Sequence, residues 1–348
     1  MSESLTVVQL VDRALYGILS EERQRWQAVS PLFSTVFDEL ETMVLSGGKR
    51  LRPQFLHWGW VAAGGDPSDH GHHSYGAAIE LLHACALFHD DVIDDSALRR
   101  GHVTTHRRLA QDHELDGLMG ESRRFGEGSA ILIGDIAFSL AQVLMAGVPA
   151  HARPYWNDLC LEMNMGQYLD TVGTAIREYT VSHALAVARF KTAKYTVERP
   201  LHIGALAASE SISADVLSSL SSYGLPLGVA FQLRDDILGA FGDEDVTGKP
   251  VGGDFREGKP TALVGYAMSV ATPEQLRVLQ NIGNSDLTHD DVANIQQTLV
   301  DTGAERHVEQ LIAQQHNDAV DALRDALIEP AAKDALIELA VLATQRTV

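Results

Sequence analysis

Between His89 and Gly101 the chain reads HDDVIDDSALRRG, which sets four aspartates, Asp90, Asp91, Asp94 and Asp95, ahead of two adjacent arginines, Arg99 and Arg100. A largely apolar run from Gly76, GAAIELLHACALF, leads into it with Ala, Ile, Leu, Cys and Phe at helical spacing. If that helix continues through the aspartates, Asp90 and Asp94 lie one turn apart on one face, with Asp91 and Asp95 on the neighbouring one. Carboxylates this close repel one another, and at the end of a core helix the repulsion is costly unless a cation lies between them. An all-oxygen ligand set suits Mg2+, which takes one or two carboxylates and completes its shell with water and phosphate. The arginine pair is well made for gripping phosphate oxygens. Metal and arginines together imply a diphosphate site; a solvated acidic helix end followed by a basic turn is the plainer alternative.

Two further segments carry complementary charge. GGKRLRP at 47–53 clusters Lys49, Arg50 and Arg52 just before a helix N-terminus, where the helix dipole favours an anion. FQLRDDILG at 231–239 ends another apolar helical run with Asp235 and Asp236, and Gln232 stands one turn earlier. The glycine-rich stretch beyond it offers Lys249, Asp254 and Lys259. Two acidic pairs on separate apolar helices, each near basic residues, are hard to reconcile with solvated surface, and they strengthen the diphosphate reading.

The elements that must position these residues read as helix after helix. Apolar residues recur at three- and four-residue spacing over 5–18 and 21–45, and Gly47-Gly48 ends the second run. Pro53 suits the first turn of a helix reaching about Ala63. The loop GGDPSDHGHH, with His70, His72 and His73 read as solvated, leads to the central helix at 74–98. Residues 111–127 are polar and read as a surface loop. Helices are predicted over 128–147, 151–173, 180–208 with a break near Pro200, and 211–240, with three or four more after the 241–260 loop. No strand-like alternation is sustained and no linker-like shift in composition appears, so the expectation is one all-α domain over 1–348.

Composition narrows the function classes. A net charge of −20 argues against nucleic-acid or anionic-membrane partners, which would repel the chain. Two cysteines, Cys85 and Cys160, imply no disulfide framework. The first residues lack the basic region and cleavage site of a signal peptide, and no uninterrupted apolar stretch reaches the ~18 residues of a membrane span. A cytoplasmic protein without a membrane span is expected. Glu80 and His83 form a Glu-x-x-His without the second copy that a di-iron bundle needs.

From Gly47 to Thr261 the sequence resembles the trans-isoprenyl diphosphate synthases of the polyprenyl synthetase family. GGKRLRP, DDVID with RRG, GQYLD at 166–170, KTA at 191–193, FQLRDD and GKPVGGDFREGK follow one another in that family's order. The resemblance implies a bundle of long antiparallel helices around a deep central cavity, usually as a homodimer. It implies head-to-tail condensation of isopentenyl diphosphate with an allylic diphosphate. By the same resemblance Asp90, Asp91 and Asp94 would bind two Mg2+ ions, and Asp235, with Asp236 beside it, a third. Lys49, Arg52 and His83 would hold isopentenyl diphosphate with help from Arg100, while Arg99, Lys191 and Lys249 would grip the allylic diphosphate. Gln167, Asp170 and Thr192 match polar groups near the developing allylic cation, and Gln232 and Lys259 flank the second acidic motif. One departure stands out: Gly239 occupies the place of that motif's third aspartate, so metal binding there is weaker, or Asp243 or Asp254 substitutes.

Product length is read from the helix before the first motif, with a helix from elsewhere in the fold as the alternative that would set the floor. Cys85 and Ala86 lie roughly one turn, ~6–8 Å, ahead of Asp90. Both are small where large aromatics would close the cavity after about three isoprene units, and Leu82 a turn further back forms part of the floor. The twenty-carbon geranylgeranyl diphosphate is the expected product, with farnesyl diphosphate as the alternative. A terpene cyclase would not need Lys49, Arg52 and His83, and a non-catalytic partner subunit would be expected to lose aspartates from the first motif.

Overall fold

A computed structural model describes residues 5–99, 101–242 and 252–345. Among the described residues the chain is all-α apart from one short antiparallel pair, Leu98–Arg99 with His102–Val103, turning at Gly101 with φ +77°. It packs as two units, one running to Ala152 and adding Ile203–Glu210, the other comprising Arg153–His202 and the chain from Ser211.

The first unit contains α1 (Val7–Gln27), α2 (Ser34–Leu45), α3 (Leu51–Ala62), α4 (His73–Ile93), α5 (Thr105–Leu115) and α6 (Ser122–Met145). A Thr6–Gln9 capping box starts α1. Pro31, which has no N–H to continue a helix, opens a 3-10 turn that separates α1 from α2 where a single helix over 21–45 is expected. Helix α4 is the core of this unit: Ala77, Ala78, Ile79, Leu81, Leu82 and Phe88 are all but fully buried. Burial of each large aliphatic or Phe side chain contributes about 1.5–3 kcal/mol, which holds the apolar length of α4 inside. It lies close to α6 because Gly134 has no side chain where one would run into the ring of His89.

Three expectations are corrected here. The central helix ends at Ile93, with Asp94 as its C-cap and Asp95 at a left-handed φ of +52°, so Leu98 belongs to the hairpin. The 111–127 loop is helical at both ends. Helix α5 runs to Leu115 because Leu109 and His113 are buried, and Glu121 starts α6 by accepting from the Arg123 and Arg124 amides. Of the three histidines read as solvated only His70 is exposed; His72 and His73 are 1% and 4% exposed and lie against His57 of α3.

The second unit contains α7 (Arg153–Ile176), α8 (Val181–Val187), a π-helical segment Ala188–Glu198, and the start of α9 (Arg199–Ala208). It continues through α10 (Ala214–Phe241), α11 (Gly253–Glu257), α12 (Ala262–Val270), α13 (Pro273–Leu279), α14 (His289–Asp301), α15 (Ala304–Ala322) and α16 (Pro330–Thr344). Leu233 and Ile237 of α10 share a core with Phe255, Leu263, Ile295 and Val308. The expected break near Pro200 is instead the wide π segment just before it. The Arg199 amide reaches back five residues to the Lys194 carbonyl, so the chain approaches the proline without a break. Both α6 and α10 are long and apolar enough to cross a membrane by length and composition alone, yet α6 buries one face in its unit and α10 carries Arg234, Asp235 and Asp236.

Candidate active site

In the first unit the C-terminal turn of α4 delivers the aspartates. The Asp94 amide donates to the Asp90 carbonyl at 2.8 Å, so the helical turn is kept through the motif. Asp91 is 2% exposed and is the most enclosed of the set. Its Oδ1 accepts from Arg99 Nε at 2.7 Å, and Arg99 Nη2 lies 3.4 Å from Asp90 Oδ2. The hairpin after α4 is what turns Arg99 back onto these carboxylates. Burial pushes the Asp91 carboxyl above its usual range, and Arg99 recovers only part of that cost. Arg99 itself is buried, but Asp91, Asp90 and Asp94 more than offset the penalty and hold its pKa up.

The other oxygen of Asp91, Oδ2, is buried with no hydrogen-bond partner among the described residues. An orphaned carboxylate oxygen beside two further carboxylates is a donor set that fits a hard divalent cation. Asp95 is drawn elsewhere, with Arg107 Nη2 2.7 Å from its Oδ1. Arg107 was not singled out from sequence; the signal was its place in a second Arg-Arg pair, one short helix start beyond the motif.

The basic turn before α3 divides into different roles. Arg50, at φ +47° and buried, donates from Nε to Asp12 Oδ1 at 2.9 Å, from Nη1 to Glu80 Oε2 at 2.8 Å and from Nη2 to the Val44 carbonyl at 2.6 Å. It pins α1 and α4 to the turn and is spent on structure, which also accounts for Glu80. Lys49 is exposed, and Arg52 and His83 are half-buried in the same unit. Cys85 and Leu82 are buried one and two turns before the aspartates, and Ala86 is half-buried. Burial pushes the Cys85 thiol up to about 12, and its Sγ lies 3.8 Å from His89 Nδ1, so it acts as a small core side chain.

In the second unit two glycines let three helices close up. Gly166 of α7 lies against the backbone of Lys191, and Gly228 of α10 against Ala193, where any side chain would collide. The result brings together residues from three separate motifs. Lys191 Nζ sits 2.7 Å from Asp170 Oδ2. Thr192 Oγ1 donates to Gln232 Oε1, and Gln232 Nε2 donates to Asp236 Oδ1 at 2.9 Å. Gln167 and Asp235 stand on the same helices, α7 and α10. Burial, with Asp254, Asp235 and Asp170 nearby, raises the Asp236 carboxyl to about 8 against the pull of the Gln232 amide. Asp254 Oδ2 fills the space beside the bare Cα of Gly239. Lys259 Nζ is 2.7 Å from Glu257 and 3.8 Å from Asp254. Arg100, Lys249 and Asp243 lie outside the described residues.

Each unit thus sets carboxylates against a basic side chain, Asp90 and Asp91 against Arg99 in the first and Asp170 against Lys191 in the second. Residues 34–299 match the family model described as polyprenyl synthetase, and the chain belongs to that family. It is 31% identical over 277 residues to a short chain isoprenyl diphosphate synthase of Methanothermobacter thermautotrophicus, covering 78% of this chain and 79% of that protein. It is 33% identical to a geranylgeranyl diphosphate synthase of Mycobacterium tuberculosis, covering 82% and 77%. A crystal structure of geranylgeranyl pyrophosphate synthase from Corynebacterium glutamicum, complexed with isoprenyl diphosphate and magnesium, superposes with a TM-score of 0.92 at 36% identity over 99% of this chain and 100% of that one.

Proposed function

We propose that the protein condenses isopentenyl diphosphate head-to-tail with an allylic diphosphate (dimethylallyl, geranyl or farnesyl) and that its main product is geranylgeranyl diphosphate. The observation that carries the reading is Asp91: a buried carboxylate with one oxygen on Arg99 and the other unsatisfied among the described residues. Magnesium dependence is supported by this donor set and by the magnesium in the similar Corynebacterium structure. Our reading is three ions, two held by Asp90, Asp91 and Asp94 and one by Asp235 with Asp236; bound there, Mg2+ supplies Lewis-acid stabilisation of diphosphate charge.

The side chains of the protein would do the rest. Arg99, Lys191 and Lys249 take up the negative charge of the allylic diphosphate as its C–O bond breaks. Lys49, Arg52, His83 and Arg100 hold the isopentenyl diphosphate. Thr192, Gln167 and Asp170 present oxygens towards the positive charge that develops on the allyl group, and Gln232 fixes Thr192. Lys259 positions Asp254 from behind. The double bond of isopentenyl diphosphate attacks the allylic carbon, and the proton then lost passes to the released diphosphate.

Farnesyl diphosphate is the alternative product. A terpene cyclase is disfavoured by Lys49, Arg52 and His83, and a non-catalytic partner subunit by the intact first motif. We read the 1–348 chain as one catalytic domain, working in the cytoplasm as a homodimer. The exposed Leu132 and Val143 on α6 support self-association. Purified protein incubated with Mg2+, labelled isopentenyl diphosphate and each allylic primer in turn is expected to give twenty-carbon product. Failure to incorporate label with any primer overturns the reading, and sedimentation tests the dimer.

A further inference from the structure

His57, His72 and His73 form a buried cluster that the prenyl-transfer chemistry does not use. All three rings are inside the first unit, at 6%, 1% and 4% exposure. One ring nitrogen from each comes within 4.8 Å of the others, and His57 Nδ1 is 3.0 Å from His72 Nε2. Two nitrogens on a tetrahedral Zn2+ stand ~3.3 Å apart when each Zn–N bond is about 2.0–2.1 Å. The cluster is therefore within a small side-chain adjustment of ligand geometry.

The hydrogen bonding around the rings has the pattern of a ligand set. His73 Nδ1 lies 3.1 Å from the His70 carbonyl, which can only accept, so the proton is on Nδ1 and the Nε2 lone pair is free. That Nε2 is buried with no partner among the described residues, as is His72 Nδ1. A ligating histidine fixed through its other nitrogen by a backbone carbonyl is the usual outer-shell arrangement at a zinc site. The His72 ring is in turn held by Trp60, stacked at 4.6 Å and 11°. The orphaned His73 Nε2 in this small interior cluster is a cost that a bound cation would remove.

We propose that His57 through Nδ1, His73 through Nε2 and a ring nitrogen of His72 bind one borderline transition-metal dication of the Zn2+ class, clipping α3 to α4. Imidazole nitrogen suits Zn2+ and is a poor match for Mg2+, so this site and the carboxylate sites select different ions. The proton now shared between His57 and His72 moves to the far nitrogen of its own ring when metal enters, and none is lost. The fourth position takes water. Because α3 carries Arg52 in its first turn and α4 ends with the first aspartate motif, the metal is a structural fastener for the unit and takes no part in prenyl transfer.

The test uses untagged full-length protein, stripped with chelator and dialysed against Zn2+ in the presence of excess Mg2+ to occupy the carboxylates. Elemental analysis is expected to find about one zinc per chain, and Co2+ in its place should give the intense visible bands of a four-coordinate ion. His73→Ala should lose the zinc and the bands, whereas His70→Ala, altering an exposed neighbour, should keep both. Zn2+ at a hundredfold excess over Kd should raise the melting temperature of wild type and His70→Ala by several degrees, and leave His73→Ala unmoved. Should His73→Ala not fold, His57→Gln is expected to show the same loss. No zinc retained by wild type, or full retention by a folded His73 or His57 variant, overturns the proposal; neither result bears on prenyl transfer.

Discussion

Asp254 of α11 sets its Oδ2 in the space that a side chain on Gly239 of α10 would need. A carboxylate from another element thus occupies the space beside the position where the second motif lacks its third aspartate. Gly239→Asp would put two carboxylates in one place, forcing Asp254 to rotate away and adding like-charge repulsion. We expect the metal-free protein to lose roughly 1–2 kcal/mol in urea melts, with most of the loss recovered by Mg2+. Combining it with Asp254→Ala should restore the metal-free stability. An additive double mutant would show that the two positions do not share the space.

Removing the charge of Asp91 tests the first motif. Asp91→Asn keeps the shape and an oxygen for Arg99, but ends the carboxylate that is orphaned at Oδ2. Turnover should fall about a thousandfold, ~4 kcal/mol of transition-state stabilisation, with circular dichroism unchanged. Burial already disfavours the Asp91 charge, so the metal-free fold should not be weakened. A variant retaining a tenth of wild-type turnover would remove Asp91 from the machinery.

The candidate residues stand out in the sequence because their types contrast with apolar helical runs, and the structure brings Asp90, Asp91 and Arg99 together, and likewise Thr192, Gln232 and Asp236. Their partners were less legible. Arg50 looks like Lys49 and Arg52 in a basic turn, and only packing reveals that it is consumed by Asp12, Glu80 and the Val44 carbonyl. The 111–127 stretch looked like loop because Gly117 and Gly120 and many charges mask the buried Leu109 and His113 on the helix before it. The π-helical turn carrying Lys191 and Thr192 has no periodic signature, and Gly166 and Gly228, which lie against it, belong to other helices. His72 and His73 read as polar loop because the ring that meets them, His57, belongs to another helix.

The chain-length reading rests on Cys85 and Ala86, one turn before the aspartates and small. The double substitution Cys85→Phe with Ala86→Phe is expected to shift the main product from twenty carbons to fifteen or fewer, read by chromatography of the dephosphorylated alcohols. Cys85 is buried, so a Phe there costs stability by overpacking, about 1–3 kcal/mol, and Ala86→Phe alone is the safer first variant. An unchanged product spectrum from a folded double variant would remove these residues as the ruler.

Asp236 supplies the pH dependence. Its carboxyl is raised from 3.8 to about 8 by burial and by Asp254, Asp235 and Asp170. The folded chain therefore binds more protons at this group than the unfolded chain does between about pH 4 and pH 8. Through that window the metal-free protein loses stability as pH rises, the reverse of a salt-bridged aspartate. Asp236→Asn removes the ionisable group while keeping an oxygen for the Gln232 amide. At pH 8 it should stabilise the metal-free protein by roughly 1–3 kcal/mol, and at pH 4 it should be close to neutral. Because a carboxylate must lose its proton to meet a cation, Mg2+ added at pH 7 should release protons from wild type and fewer from Asp236→Asn. Calorimetric titrations in two buffers of different ionisation enthalpy measure that difference directly, and equal release from the two proteins would place the proton on another group.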